Sequence, residues 1–238
     1  MAVPSQASID NQLLTLLPEP DYRQIAPDLD SVNVARGALL ATAGDPIEHV
    51  YYLTSGIGSL VASTPEGNRA EAGIFGREGY IPTSAAMGVE LSVHDVIMQI
   101  EGDAYRMEFT AFRKWMDDNR NFAKVMIRCI EAFSIQLTYT AISNAVHGVD
   151  ERLARWLLMC HDRVSGDEIP LTHEFISLML AVRRPSVTTA LHVLEGNGFI
   201  RSVRGNIIIR NRQALEEFAR DAYGKPEAEY QRLMTGLF

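Results

Sequence analysis

The 238-residue sequence predicts an α+β chain in three parts: a sandwich or barrel of short strands, a long helix, and a small helical unit closed by a hairpin. Three observations predict it. Between Ser31 and Met107, short β-rich runs alternate with glycine-bearing turns at roughly 8–12-residue spacing. From Phe109 to His147 the apolar residues switch to helical period. Leu171 to Ile200 then reads as two short helices broken at Pro185, with two β-rich runs after them.

The elements follow in order. Met1 to Ser8 is expected to be disordered. Ile9 to Leu17 has a helix pattern that Pro18 and Pro20 stop, and Asp21 to Leu29 suits another short helix. The strand candidates are Val32–Gly37, Val50–Leu53, Gly58–Ala62, Ala70–Phe75 and Val93–Ile100. Turn signals fall at Gly44-Asp45-Pro46, Ser55-Gly56, Pro65 to Asn68 and Glu101-Gly102-Asp103. The long helix runs from about Asn119 to His147, roughly 40 Å at about 1.5 Å per residue. Along it Phe122, Met126, Cys129, Phe133, Gln136, Thr140, Ser143 and His147 recur in alternating fours and threes, apolar first and polar later. Such a seam serves either a domain core or a partner helix.

Val149-Asp150 reads as a hinge, with Asp150 as N-cap of a helix from Glu151 to Val164 that buries Leu153, Trp156, Leu157 and Cys160. Thr172 is a good N-cap for the next helix, where Ile176, Met179 and Leu180 share a face. Pro185, favoured at the first helical position, makes Arg184 the N-cap of the helix after it and leaves Arg183 just outside. In that helix Val187, Leu191 and Leu194 form the buried stripe, while Ser186, Thr188, Thr189 and His192 point outward. Gly196 and Gly198 end it. Phe199–Val203 and Asn206–Ile209 then form a hairpin around Arg204-Gly205-Asn206, with glycine at a positive φ. Arg212 to Ala222 is an amphipathic helix, Gly224-Lys225-Pro226 interrupts it, and Glu227 to Met234 suits a last turn or two.

The outer face of the helix after Pro185 has no carboxylate before Glu195, and its start carries two arginines and three hydroxyls. Arginine forks match O6 and N7 of guanine in the major groove, and hydroxyls contact bases or phosphates. Helix N-termini favour phosphate through free N–H groups and the macrodipole. Two helices with such a tip make either a DNA-reading helix-turn-helix or an ordinary helical hairpin with solvated arginines. The β-hairpin behind them favours the first, as a winged helix whose basic tip, Arg204, reaches the phosphate backbone.

A net charge of −8 argues against nucleic acid until it is mapped. Glu151 to Gln213 holds nine Arg and no Lys against six Asp and Glu, a net +3, which leaves −11 on the rest. The positive excess sits on the segment expected to meet DNA. Cys129 and Cys160 are too far apart for a metal knuckle and read as small buried hydrophobes. No nucleophile motif, P-loop, dinucleotide fingerprint or metal-ligand cluster is present, so no enzyme activity, metal or cofactor is expected. No apolar run approaches the ~18 residues of a membrane span, and the start lacks a basic-then-apolar signal. A cytoplasmic protein without a membrane partner is expected.

On these residues the chain resembles the CRP/FNR superfamily of transcription regulators. LTHEFISLMLAVRRPSVTTALHVLEGNGFIRSVRGNIII resembles that family's winged-helix signature almost from end to end. Gly44-Asp45, Val50 to Leu53 and Ser55-Gly56 resemble the early strands of its cyclic-nucleotide-type β-roll. The resemblance implies a jelly-roll-like double-stranded β-roll at residues 1–118, a dimerisation helix and hinge at 119–148, a winged helix-turn-helix at 149–213 and a helical tail at 214–238. It implies a homodimer, joined along the long helix, on double-stranded DNA, and RNA polymerase as a further partner if the protein activates.

The resemblance also assigns sites. The family's phosphate cassette offers helix N–H groups after an FGE-type turn and an arginine for the cyclic phosphate. Phe75-Gly76-Arg77-Glu78-Gly79 keeps part of the turn, with Arg77 and Glu78 as effector candidates. The arginine is missing: no Arg or Lys lies between Arg77 and Arg106, and the matching stretch reads Glu90-Leu91-Ser92-Val93-His94. Tight binding of cyclic AMP or GMP is therefore not expected. No cysteine precedes Cys129, unlike the iron–sulfur members, and His49 and His94 stand alone as haem ligands. In the family the polar half of the long helix faces the effector cavity. Gln136, Thr138, Thr140, Ser143 and Asn144 are placed to bond a ligand there, or equally to form cross-helix contacts that fix register.

The family's recognition helix begins at the position of Arg184. The Glu and second Arg that often follow are replaced by Pro185 and Thr189, so the half-site should differ from the best-known ones. Arg184 is the expected guanine contact. Arg183, Ser186, Thr188, Thr189 and His192 are expected beside it, with Thr172, His173 and Arg204 on phosphate. Where the turn often has Gly this chain has Ala181, for which α or β backbone and a slightly different turn are expected. The whole predicts a homodimeric, sequence-specific regulator on an inverted repeat. The alternative is a small-molecule or redox sensor whose DNA binding needs a ligand other than a cyclic nucleotide in the β-roll.

Overall fold

A computed structural model describes residues 4–238. They divide into two compact units. The first holds residues up to Val61, Ile74–Ile135 and Glu229–Phe238; the second holds Ala62–Gly73 and Gln136–Ala228.

The first unit opens with α1 (Gln12–Leu16) and α2 (Glu19–Ile25), where Pro20 stands in the first turn of α2. Asn11 caps α1: its Oδ1 accepts from Leu13 N and Leu14 N at 3.1 and 3.2 Å, and its Nδ2 donates to Leu53 O and Gly79 O, both at 3.0 Å. A fully buried asparagine is thereby satisfied on all sides. The expected disorder of Met1–Ser8 is not what Pro4–Ser8 shows, and Met1–Val3 lie outside the described residues. Gln6–Ser8 form a 3-10 turn, and Gln6 Nε2 donates to Leu14 O and Leu17 O at 3.0 and 2.8 Å, meeting carbonyls that the short α1 leaves unpaired.

Seven strands follow: β1 (Asp30–Val34), β2 (Leu39–Ala41), β3 (His49–Leu53), β4 (Ile57–Ser63), β5 (Arg69–Phe75), β6 (Asp95–Ile100) and β7 (Gly102–Glu108). They form one sheet of order β1-β7-β3 and another of order β2-β6-β4-β5. Alternation is clear in β3, where Val50 and Tyr52 are buried and Tyr51 faces outward. Two strands escape the sequence reading. β2 is three residues of an unpatterned Leu-Leu-Ala, and β7 begins at the glycine read as a turn.

α3 (Phe109–Asp118) and α4 (Arg120–Val146) come next, and Asn119 Oδ1 accepts from Asn121 N and Phe122 N to cap α4. Tyr52, Tyr80, Phe112, Phe122, Val125 and Met126 form the buried heart of this unit. Phe112 meets Phe122 edge-on at 5.5 Å, and Phe75 stacks on Phe133 at 4.2 Å.

The seam read along α4 needs correction. Phe122, Met126, Cys129 and Phe133 are buried within this chain, as are Gln136 and Ser143 further on. They are the helix's core stripe, not a face for a partner. The face left open is offset from it: Ile127, Glu131, Ser134, Thr138, Ala141, Ile142, Ala145 and Val146 are exposed, the first five and Ala145 again spaced in fours and threes. α4 is also long and apolar enough to match a membrane span by length and composition, although the sequence holds no uninterrupted apolar run.

The second unit carries α5 (Val149–His161), β8 (Glu168–Ile169), α6 (His173–Leu180), α7 (Arg184–Gly196), β9 (Ile200–Val203), β10 (Asn206–Ile209) and α8 (Arg212–Ala219). The N-cap of α5 is Gly148, not Asp150, and Gly148 N donates to Glu151 Oε2 at 2.9 Å. α5 is buried from Leu153 through Cys160 and packs on α6, α7 and α8. A third short strand completes the wing sheet, in order β8-β10-β9. α8 is shorter than expected and passes into a 3-10 turn at Arg220–Ala222. α9 (Lys225–Met234) takes Pro226 into its first turn, where proline's missing N–H is harmless. The end of the chain, from Glu229, packs in the first unit: Met234 and Leu237 are buried there, and Arg128 Nη1 donates to Leu233 O at 2.6 Å.

Candidate nucleic-acid interface

Thr172 caps α6 as expected, accepting from Phe175 N at 3.3 Å. Its hydroxyl proton stays free to donate to a phosphate. The link to α7 departs from expectation. Ala181 adopts left-handed backbone, φ 50° and ψ 44°, instead of the α or β conformation predicted for alanine. The turn is therefore the glycine-type turn with a Cβ forced into it, at a cost of about 1–2 kcal/mol. Neighbours over-determine it. Val182 N donates to Ser177 O at 3.1 Å, Ser177 Oγ donates back to Val182 O, and the Arg152 guanidinium donates to Leu180 O.

α7 starts one residue earlier than read from Pro185. Arg183 is the N-cap, in extended backbone, and Arg184 is the first helical residue with Pro185 second. Val187, Leu191 and Leu194 are buried as expected, together with Ala190. Arg183, Arg184, Ser186, Thr189 and His192 are exposed, and Thr188 half so. Thr188 Oγ1 donates to Arg184 O at 3.2 Å and Thr189 Oγ1 to Pro185 O at 3.1 Å. Hydroxyls that give their proton to the helix present acceptor lone pairs outward, which suits the amino groups of cytosine and adenine.

Arg184 does not stand alone. Its Nη2 pairs with Glu174 Oε2 at 2.6 Å, both side chains being well exposed. Such a solvated pair contributes roughly 0–1 kcal/mol, so it orients the guanidinium without trapping it. Glu174 is the site residue that sequence reading missed; its place one residue after His173 at the tip of α6 was the available signal.

The wing closes on a two-residue turn, Arg204-Gly205, between paired Val203 and Asn206, with Gly205 at φ 75°. Glu195 Oε1 accepts from Ser202 N at 3.0 Å and ties the end of α7 to the wing. Thr172, His173 and Arg204 line one open concavity with Ser202, Val203 and Gly205. The residues expected on phosphate thus share a surface.

The charge argument needs refinement. Of the nine arginines counted, Arg155 and Arg163 are buried, Arg152 is turned to Leu180 O, and Arg212 is held by Asp162 at 2.6 Å and Glu216 at 2.7 Å. Arg183, Arg184, Arg201, Arg204 and Arg210 are exposed. Arg201 and Arg210, on and just after the wing strands, were not singled out from sequence.

The effector candidates fall in both units. In the first, Phe75–Gly79 is a loop whose groups the chain satisfies itself. Glu78 Oε1 accepts from Gly76 N at 3.2 Å, Arg77 O accepts from Gln12 N at 2.7 Å, and Glu78 O accepts from Tyr230 Oη at 3.1 Å. No α-helix follows; only a 3-10 turn at Thr83–Met87 comes before β6. In the second unit, Thr140 Oγ1 accepts from Arg155 Nη2 at 3.2 Å and donates to Gln136 O at 2.9 Å, Ser143 Oγ meets His147 Nδ1 at 3.1 Å, and Asn144 is exposed.

Both cysteines are buried and reduced. Burial pushes the Cys129 thiol up to about 12 and the Cys160 thiol well above its usual range. Neither offers the thiolate that peroxide or disulfide chemistry needs.

A winged helix-turn-helix with an open basic tip, in a chain that also carries a jelly-roll-like antiparallel β-fold, defines a DNA-binding transcription regulator. Comparison with known proteins gives the family. The Crp-like helix-turn-helix domain matches residues 151–218 and the cyclic nucleotide-binding domain matches residues 31–119. The chain belongs to the CRP/FNR family of regulators. It is 24% identical over 211 residues to the CRP-like cAMP-activated global transcriptional regulator of Mycobacterium tuberculosis, covering 82% of this chain and 91% of that one. Its fold is similar to FixK2 of Bradyrhizobium japonicum, with TM-score 0.68, 16% identity, and coverage of 81% of this chain and 98% of that one. It is also similar to the c-di-GMP-responsive global regulator CLP of Xanthomonas campestris, with TM-score 0.65, 13% identity, and coverage of 81% and 99%.

Proposed function

We propose that the chain acts as a cytoplasmic homodimer that reads an inverted-repeat operator with α7, and that it does so without a cyclic nucleotide. The observation that carries the reading is α7 itself, where arginines and outward hydroxyl lone pairs lie open above a fully buried Val187-Leu191-Leu194 stripe. Arg184 leaves Glu174 to fork onto guanine. Ser186, Thr188, Thr189 and His192 read or approach the neighbouring bases with Arg183 beside them, and Thr172, His173 and Arg204 hold phosphates. The two α7 helices of the dimer stand about one DNA turn apart, ~34 Å. The boundaries that suit this work are a β-roll at 1–118, a joining helix at 119–148, the winged helix at 149–213 and a tail at 214–238.

The dimer forms through the open face of α4. Ile127, Ile142 and Val146 are 56%, 53% and 66% exposed there, which is unusual for large apolar side chains on one helix face. The β-roll is degenerate as a nucleotide site. The Glu78 carboxylate already occupies the Gly76 N–H where a phosphate would bind, and no arginine or lysine lies between Arg77 and Arg106. What the mycobacterial relative and CLP are named for binding is thus not carried over. The sensor alternative stays with a ligand other than a cyclic nucleotide in the β-roll; a thiol-based sensor is disfavoured by the burial that pushes both cysteine thiols up. RNA polymerase is a partner if the protein activates.

The test is sedimentation of the pure chain with a duplex selected from random sequence. Two chains per duplex are expected. One chain per duplex overturns the dimeric reading.

A further inference from the structure

One charged cluster in the second unit is buried and lies outside the residues proposed to meet DNA. Glu71, on the part of β5 that belongs to this unit, is 7% exposed, and its Oε1 accepts from the indole Nε1 of Trp156 at 2.8 Å. Trp156 is on α5, the helix that packs on α6 and α7. Two cations of the same unit are also buried, Arg155 at 5% and Arg163 at 8% exposed. Burial pushes the Arg155 guanidinium below its usual range, and the Glu227 and Glu71 carboxylates oppose that shift. Arg155 also donates to Thr140 Oγ1, and Arg163 Nη1 donates to Met159 O at 2.7 Å.

A buried carboxylate with two buried guanidiniums is a poor way to gain stability. Taking each ion out of water costs several kcal/mol, and apolar side chains of the same size often serve as well. Such a cluster is also all-or-none: withdraw Glu71 and the Trp156 N–H and the arginine charge beside it lose a partner together. Chain connectivity gives that property a use. β4 leaves the first unit after Val61, turns at Thr64–Asn68, and β5 re-enters at Ile74. The segment between, Ala62–Gly73, groups with the DNA-binding unit, while the chain on both sides of it belongs to the first unit.

We propose that Glu71 is a positioning residue that latches the Ala62–Gly73 hairpin to α5, and that this latch sets the affinity of α7 for its operator. The proposal rests on the reading of α7 as the DNA-contacting helix. Glu71 touches no DNA; it acts through Trp156 on α5, and α5 acts on the helix-turn-helix through its packing and through the bond from Arg152 to Leu180 O.

The test uses the full chain as Glu71→Leu, which has no acceptor for the indole N–H, Trp156→Phe, the double variant, and Glu66→Gln as a control on the exposed turn of the same hairpin. Hydrogen exchange reads the hairpin amides, and titration with a selected duplex reads affinity. Each single variant should speed exchange in Ala62–Gly73 and shift operator affinity at least about tenfold in one common direction, with the control unmoved. The double variant should go no further than a single one, because both remove one bond. Should Glu71→Leu not fold, Trp156→Phe removes the same bond from the other side. Unchanged exchange overturns the latch. Faster exchange with affinity held within about twofold reduces Glu71 to a structural residue and overturns its regulatory role. A wild-type chain that selects no duplex instead sinks the reading of α7, and with it the claim on affinity, while exchange still decides the latch.

Discussion

Two regions of this molecule carry the marks of a ligand site, and they differ in where their polar groups point. On α7, Arg183, Arg184, Ser186, Thr189 and His192 are exposed, and Arg184 makes a solvated ion pair with Glu174. In the Phe75–Gly79 loop the Gly76 N–H, the Arg77 carbonyl and the Glu78 carbonyl are met by Glu78, Gln12 and Tyr230 of the same chain. A surface that awaits a partner leaves hydrogen-bonding capacity unspent, because a partner that must first break internal bonds gains little. The first region keeps that capacity open, as the proposed reading of α7 requires. The second has the outline of a ligand site and is filled by its own backbone and side chains.

Five changes break or sharpen that contrast. The largest effect should come from Ile142→Arg, which places a charge in the open face of α4. Monomers should appear in sedimentation, and operator affinity should fall ~10²–10⁴-fold as the second half-site contact is lost. Arg184→Ala should remove about 1–3 kcal/mol of discrimination and relax the preference for guanine at one position of each half-site, read by competition between duplexes. Ala181→Gly should relieve the left-handed alanine and raise stability by about 1 kcal/mol in chemical denaturation, with operator preference unchanged. Arg204→Ala should weaken all sequences alike and lower the slope of log affinity against log salt by about one. The smallest effect should be that of cyclic AMP, which should neither bind in calorimetry nor move the melting temperature; saturable binding would restore the loop as a nucleotide site.

What the sequence disclosed is local. The helix-turn-helix was legible because its signals lie within one or two turns of each other: Thr172 before a helix, Pro185 at the start of the next, glycines at its end, and apolar residues in fours and threes. Where a signal has two physical sources the reading went astray. α4 carries two stripes, and the period that revealed Phe122, Met126, Cys129 and Phe133 could not say that these face the chain's own core while Ile127, Ile142 and Val146 face outward. Ala181 was misjudged because residue type predicts intrinsic preference, and here Ser177, Arg152 and the packing of both helices override it. The arginine count overstated the interface because charge says nothing of burial: Arg155 and Arg163 serve the interior. The Glu71–Trp156 bond was out of reach altogether, since it joins residues 85 apart through tertiary structure alone.

The most direct test is selection of bound duplexes from a random pool by the pure chain with no ligand added. The account predicts a two-fold symmetric site with a guanine in each half that loses its enrichment in Arg184→Ala. Salt-sensitive binding with no enriched sequence would contradict it, because a chain whose reading helix is open and whose nucleotide loop is self-satisfied needs no effector to recognise its operator.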